Sequence, residues 1–162
     1  MFFSAAIAAA FAVQTPEEAL KIGLTEIPRD CALAREIKWA LKAAPRIKNY
    51  RQARKAVDDH FKGMSGVHTN NNACLTVFGL TIGRGDFTRT IAETVAMGLD
   101  NDCTAATAGS IIGAIVGKKG IPSHWYKPFH NKVLTYLNGH PVFKIDNVFN
   151  RFIKQAATVH GR

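Results

Sequence analysis

Glycines 109, 113 and 117 recur every four residues in a run of small and apolar residues that opens on Asp100-Asn101-Asp102. At 3.6 residues per turn this spacing puts all three on one face of a helix. Each glycine inside a helix costs about 1 kcal/mol against alanine, so their recurrence predicts a close approach by another backbone. The same spacing marks helix pairs in membranes. The stretch from Cys103 to Val116 is too short to span a bilayer, however, and it begins beside two carboxylates. A buried helix, Cys103–Val116, packed centrally in a helical bundle through its glycine face is the expectation.

The rest of the chain is punctuated as helices. Phe3, Ile7 and Phe11 lie at i, i+4 and i+8, one stripe of a first helix. Thr15-Pro16-Glu17-Glu18 supplies a cap, a first-turn proline and a capping-box glutamate for a second, running to about Leu24. Asp30 is placed to cap a third that carries Leu33, Ile37, Leu41 and Ala44 and stops at Pro45. Asn49 caps a fourth, with Tyr50, Ala53, Val57 and Phe61 turned inward. The apolar run Ala73–Ile82 fills every face, as a central helix does, although its Thr and Val residues also suit a strand. Asp86 caps a helix over Phe87–Met97, and Asp146 caps a last one ending near Thr158. With no internal repeat and no linker, residues 1–162 read as a single all-α domain, an orthogonal helical bundle.

At 47% hydrophobic and 20% charged residues, the chain has the material for a real core and not the composition of a disordered one. The first 13 residues resemble a secretory leader but lack the basic residues that precede one. They fit a core helix better. Cys31, Cys74 and Cys103 are odd in number and without zinc spacing, which fits a reducing, cytoplasmic setting. No segment predicts a membrane partner. The net charge of +9 is concentrated between Arg29 and Lys62, where ten Lys and Arg face Asp30, Glu36, Asp58 and Asp59. Without a recognised nucleic-acid motif, that charge reads as a solvated surface.

Two carboxylates one residue apart at a helix entrance have oxygen donors suited to a hard cation such as Mg²⁺, Mn²⁺ or Ca²⁺. Spacing alone leaves a second reading open, in which Asp102 is an N-cap and Asp100 a solvated acid near the helix dipole. His68 and Asn72, ahead of the central helix, are candidates for ligand contact; the alternatives are that Asn72 caps the helix and that His68 is satisfied by a carbonyl.

Several separated motifs agree in order and spacing with one family. The segment Gly98-Leu99-Asp100-Asn101-Asp102-Cys103-Thr104-Ala105-Ala106 is followed by the glycine-spaced helix, Ile121-Pro122 and Trp125. Upstream come Met1–Ala12, Gly23–Pro28, and His68-Thr69 with Asn72-Ala73. Together these resemble the carboxy-terminal half of the ADP-ribosylglycohydrolase family over roughly residues 1 to 140.

The resemblance implies an all-helical, Mg²⁺-dependent hydrolase with a two-metal site, cleaving the bond at C1″ of an ADP-ribose-containing substrate. It further implies that Asp100, Asp102 and Cys103 are the metal-ligand positions, Asp102 the more central, and that His68 and Asn72 line the substrate cleft. Cys103 replaces the usual threonine. The family's other ligands lie in an amino-terminal Thr-Asp-Asp, a triplet absent from this sequence. The chain is therefore expected to be a truncated or half protein, probing for a partner segment that supplies those ligands and the catalytic carboxylate. No residue here is assigned that catalytic role, and the alternatives are a non-catalytic remnant or, more weakly, a basic nucleic-acid-binding module.

Overall fold

The computed structural model describes residues 1–161. It divides into two compact units, Met1–Ile121 and the segment from Pro122 onward.

The first unit is all helical: α1 (Phe2–Ala10), α2 (Pro16–Thr25), α3 (Ala32–Ala43), α4 (Tyr50–His60), α5 (Thr69–Gly83), α6 (Phe87–Ala96) and α7 (Asn101–Gly120). The capping chemistry sets the boundaries. Thr15 Oγ1 accepts from Glu18 N–H at 3.3 Å while the Glu18 carboxylate accepts from Thr15 N–H at 3.1 Å, the reciprocal pair that opens α2. Asn49 caps α4 and Asp86 caps α6. At α3 the cap is Cys31, whose sulfur accepts from Ala34 N–H, and not the Asp30 expected.

Helix α5 is the centre. Leu75, Val77, Phe78 and Leu80 are fully buried although they point in different directions, because α2, α3, α4, α6 and α7 all pack on it. A strand over this run is thereby excluded. Phe78 meets the Trp39 ring edge-on, and Trp39 stacks on His60 with ring centres 3.8 Å apart. His60 Nε2 also reaches Glu36 Oε2 at 2.7 Å, tying α4 to α3.

The close helix approach falls elsewhere than predicted. A Cβ at Gly113 would make only ordinary contact with Phe87 and Ile121, and one at Gly109 would meet only the tip of Ile91. Gly117 leaves helical geometry altogether (φ 63°) and breaks α7. One tight seam is α2 against α1, where a Cβ at Gly23 would meet the Phe2 carbonyl; another is α5 against α6, where a Cβ at Gly79 or Gly83 would collide with the hydroxyl of Thr94 or Thr90. Both threonines are fully buried, and their hydroxyls donate to the Thr90 and Asp86 carbonyls one turn back. On α1 the buried stripe is Phe2, Ala6 and Ala10, with Phe11 exposed.

The second unit holds two short 3₁₀ turns, an antiparallel hairpin of β1 (Lys132–Leu134) and β2 (Val142–Lys144), and α8 (Ile145–His160). Val133 pairs with Phe143. The hairpin was not expected, since three-residue strands give too little alternation to read. Asp146 lies inside α8, one residue past its start, so it does not cap it.

Candidate metal centre

Helix α6 ends in an unusual turn. Gly98 (φ 72°) and Leu99 (φ 58°) are successive left-handed residues, a conformation that costs a bulky side chain about 1–3 kcal/mol. Three side chains hold it. Arg54 Nη1 donates to the Met97 carbonyl at 3.0 Å, and its Nε is fixed by Asp58 at 2.8 Å. Asn101 Nδ2 donates to the Val95 carbonyl at 3.2 Å. The Asp100 N–H donates to Asn72 Oδ1 at 3.1 Å. Arg54 belongs to the basic stretch read as solvated surface, yet it braces this turn.

The turn presents Asp100, Asp102 and Cys103 together, with one ligand atom of each within 4.8 Å of the others. Asp100 is the N-cap residue of α7, but its side chain makes no capping hydrogen bond, and Asp102 sits within the first turn. The simple capping reading of Asp102 therefore does not hold. Both carboxylates lie where the helix dipole favours negative charge. The Cys103 thiol is pushed up from its ordinary pKa, first by its hydrogen bond to Asp100, then by the charge of Asp100, with a smaller desolvation contribution and the charge of Asp102. A raised pKa disfavours the thiolate, the nucleophilic form.

Asp100 and Cys103 border a cleft of about 160 Å³ between α5 and α7. Thr69, Asn72, Ala73 and Thr76 line one wall; Thr104 and Thr107 line the other, with Phe3 at the end. Asp102 stands beside the cleft and not in its lining. His68 is also outside the lining: it is the N-cap of α5, its Nδ1 accepting from Asn70 N–H at 3.1 Å. Asn72 borders the cleft, but its amide is spent on the backbone, Nδ2 donating to Gly66 O at 2.8 Å and His68 O at 3.0 Å. It shapes the site.

The threonines were missed by the sequence reading. A signal for them existed: positions 69, 72, 73 and 76 on α5 and 100, 103, 104 and 107 at the start of α7 share the spacing i, i+3, i+4, i+7, a single face each. Read as polar faces, they meet across the cleft.

The family model described as ADP-ribosylglycohydrolase matches residues 1–157. The chain belongs to the ADP-ribosylglycohydrolase family. The match extends past the roughly 140 residues over which the sequence motifs suggested a resemblance, so the likeness covers nearly the whole of this chain, most of α8 included. Membership assigns a glycohydrolase-type function and an ADP-ribosylated substrate. No curated protein and no solved structure matches the chain. Among the described residues, no helix is long and apolar enough to cross a membrane.

Proposed function

We propose that this chain carries part of the metal and ribose site of a Mg²⁺-dependent hydrolase that cleaves the bond at C1″ of ADP-ribose. The observation that carries the reading is the convergence of Asp100, Asp102 and Cys103 at a hydroxyl-lined cleft. Two carboxylates are the donors a hard cation takes, and sulfur is a poorer one. Asp100 and Asp102 would hold the ion, and Cys103 would stand by as a hydrogen-bond donor to Asp100. The bound ion would supply charge stabilisation at the reacting centre.

The chain's own residues orient the sugar. At about 160 Å³ the cleft is smaller than the roughly 300–1,000 Å³ that encloses a whole small molecule, so it takes a ribose-sized part of ADP-ribose. Thr69 offers its hydroxyl to such a group and Thr107 an acceptor oxygen, its proton being donated to Cys103 O at 2.9 Å, while Thr76 and Thr104 are buried behind them with their hydroxyls donating to Asn72 O and Asn101 O. Mg²⁺ requires near-octahedral oxygen coordination, which two carboxylates leave unfilled. The remaining ligands and the catalytic carboxylate would come from a segment bearing Thr-Asp-Asp, in a reducing compartment such as the cytoplasm that keeps the three free cysteines reduced.

The test is an assay of ADP-ribose release from modified protein, with the chain alone and joined to a family segment bearing Thr-Asp-Asp. The chain alone is expected to be inactive and the joined protein to hydrolyse in Mg²⁺. Asp102→Ala should abolish the gain. Efficient hydrolysis by the chain alone, or a joined enzyme indifferent to Asp102, contradicts the reading.

A further inference from the structure

The second unit carries a surface that nothing in the metal site uses. From Pro122 to Gly161 no residue is buried. Units of about 40 residues rarely hold a self-sufficient core and commonly rely on association. Helix α8 shows where that association would form. On one side Val148, Arg151, Phe152 and Gln155 face the hairpin across a groove. The adjacent face carries Asp146, Phe149, Ile153, Ala156, Ala157 and His160, spaced as one helical stripe. Phe149 is 63% exposed and Ile153 52% exposed. Ile153, Ala156, Ala157 and His160 line an open furrow along it.

This stripe is complementary to its own reverse. Large residues occupy its first half and alanines its second. Laid antiparallel on a second copy about Ile153, Phe149 falls on the partner's Ala156 and Ala157, so bulk meets space as helix packing requires. Asp146 falls on the partner's His160, at both ends by symmetry. Asp146 Oδ2 already accepts from Asn131 Nδ2 at 2.9 Å, leaving Oδ1 for that contact. Arg151 and Lys154 lie off the stripe, so their charges do not oppose the pairing.

We propose that α8 pairs antiparallel with α8 of a second copy of this chain, forming a two-fold dimer centred on Ile153. The seam is one short helix face, well under the roughly 800 Å² per partner of a standard interface, so the dimer is weak and concentration-dependent.

Sedimentation equilibrium of the full chain tests it. The wild type should show a reversible monomer–dimer equilibrium. Ile153→Asp should raise the dissociation constant by about 30-fold or more, as a central interface residue does, with the circular dichroism spectrum unchanged. Asp146→Lys should weaken the dimer, and adding His160→Glu should restore it. Should Ile153→Asp lose helix, cross-linking decides: with Cys31 and Cys103 changed to serine, Ile153→Cys should form a disulfide between copies and Thr158→Cys should not. A chain monomeric at every concentration overturns the proposal, as does a dimer indifferent to Ile153→Asp. A monomer that co-sediments with phosphatidylserine vesicles through this face also overturns it and gives the face to a lipid surface.

Discussion

The side-chain oxygen of Asn72 accepts the backbone N–H of Asp100 at 3.1 Å, joining the start of the central helix to the acidic turn 28 residues later. The same amide donates to the Gly66 and His68 carbonyls. One buried side chain thus sets the Gly66–His68 loop and the position of the first carboxylate.

Asn72→Ala removes these bonds and leaves the part-buried Asp100 N–H and Gly66 carbonyl without those partners, while the His68 carbonyl keeps the Asn72 backbone N–H. Each unsatisfied group costs about 1–3 kcal/mol, so a loss of several kcal/mol in urea unfolding is expected. Asn72→Asp, which keeps the acceptor but loses the donor, should fall between. A variant as stable as the parent would remove this link from the account.

The glycines separate into two classes. Gly83→Ala should destabilise by about 1–3 kcal/mol or more, because its Cβ meets Thr90 at the α5–α6 seam. Gly113→Ala should be neutral or stabilise by up to about 1 kcal/mol, since its Cβ meets only ordinary contacts inside a helix. Thermal melts of the two variants give opposite signs. Melts of the same sign would contradict the seam's placement.

That contrast shows what the sequence could and could not say. Helix number and most caps were legible, because Thr15, Asn49 and Asp86 act on their own neighbours. The acidic turn was legible for the same reason. Which glycines pack closely was not, because Gly79 and Gly83 matter only through Thr94 and Thr90 on another helix. Arg54 looked like one more surface cation until the turn it braces, 43 residues away, lay beside it. Asn72 could be placed near the site, but its partner Asp100 could not. The hairpin stayed hidden because its strands are three residues long.

Arg84 ends α5 in the left-handed region (φ 52°) and is exposed. Glycine takes this position without the penalty a side chain bears. Arg84→Gly is expected to stabilise by a few tenths to about 1 kcal/mol, read as a rise in the urea midpoint. A fall would mean that the arginine makes a contact worth more than its backbone strain.

Glu18 has its carboxyl held below the ordinary carboxylate range, chiefly by the Gln14 and Thr15 hydrogen bonds of the α2 cap. A depressed folded-state pKa contributes stability above the unfolded value of about 4.3, lost as pH falls through the folded value. Glu18→Gln should therefore lower stability at neutral pH and flatten the acid limb of the stability curve. An acid limb identical to wild type would detach Glu18 from that pH dependence.

The claim that Asp100 and Asp102 form a divalent-cation site is tested most directly by calorimetric titration of the chain with Mn²⁺, an ion less demanding of a complete cage than Mg²⁺. The account predicts weak binding that Asp102→Asn abolishes and Cys103→Ser leaves intact or strengthens, since a hydroxyl suits a hard cation better than a thiol. Mn²⁺ binding unchanged by Asp102→Asn, or lost only with Cys103, would contradict it.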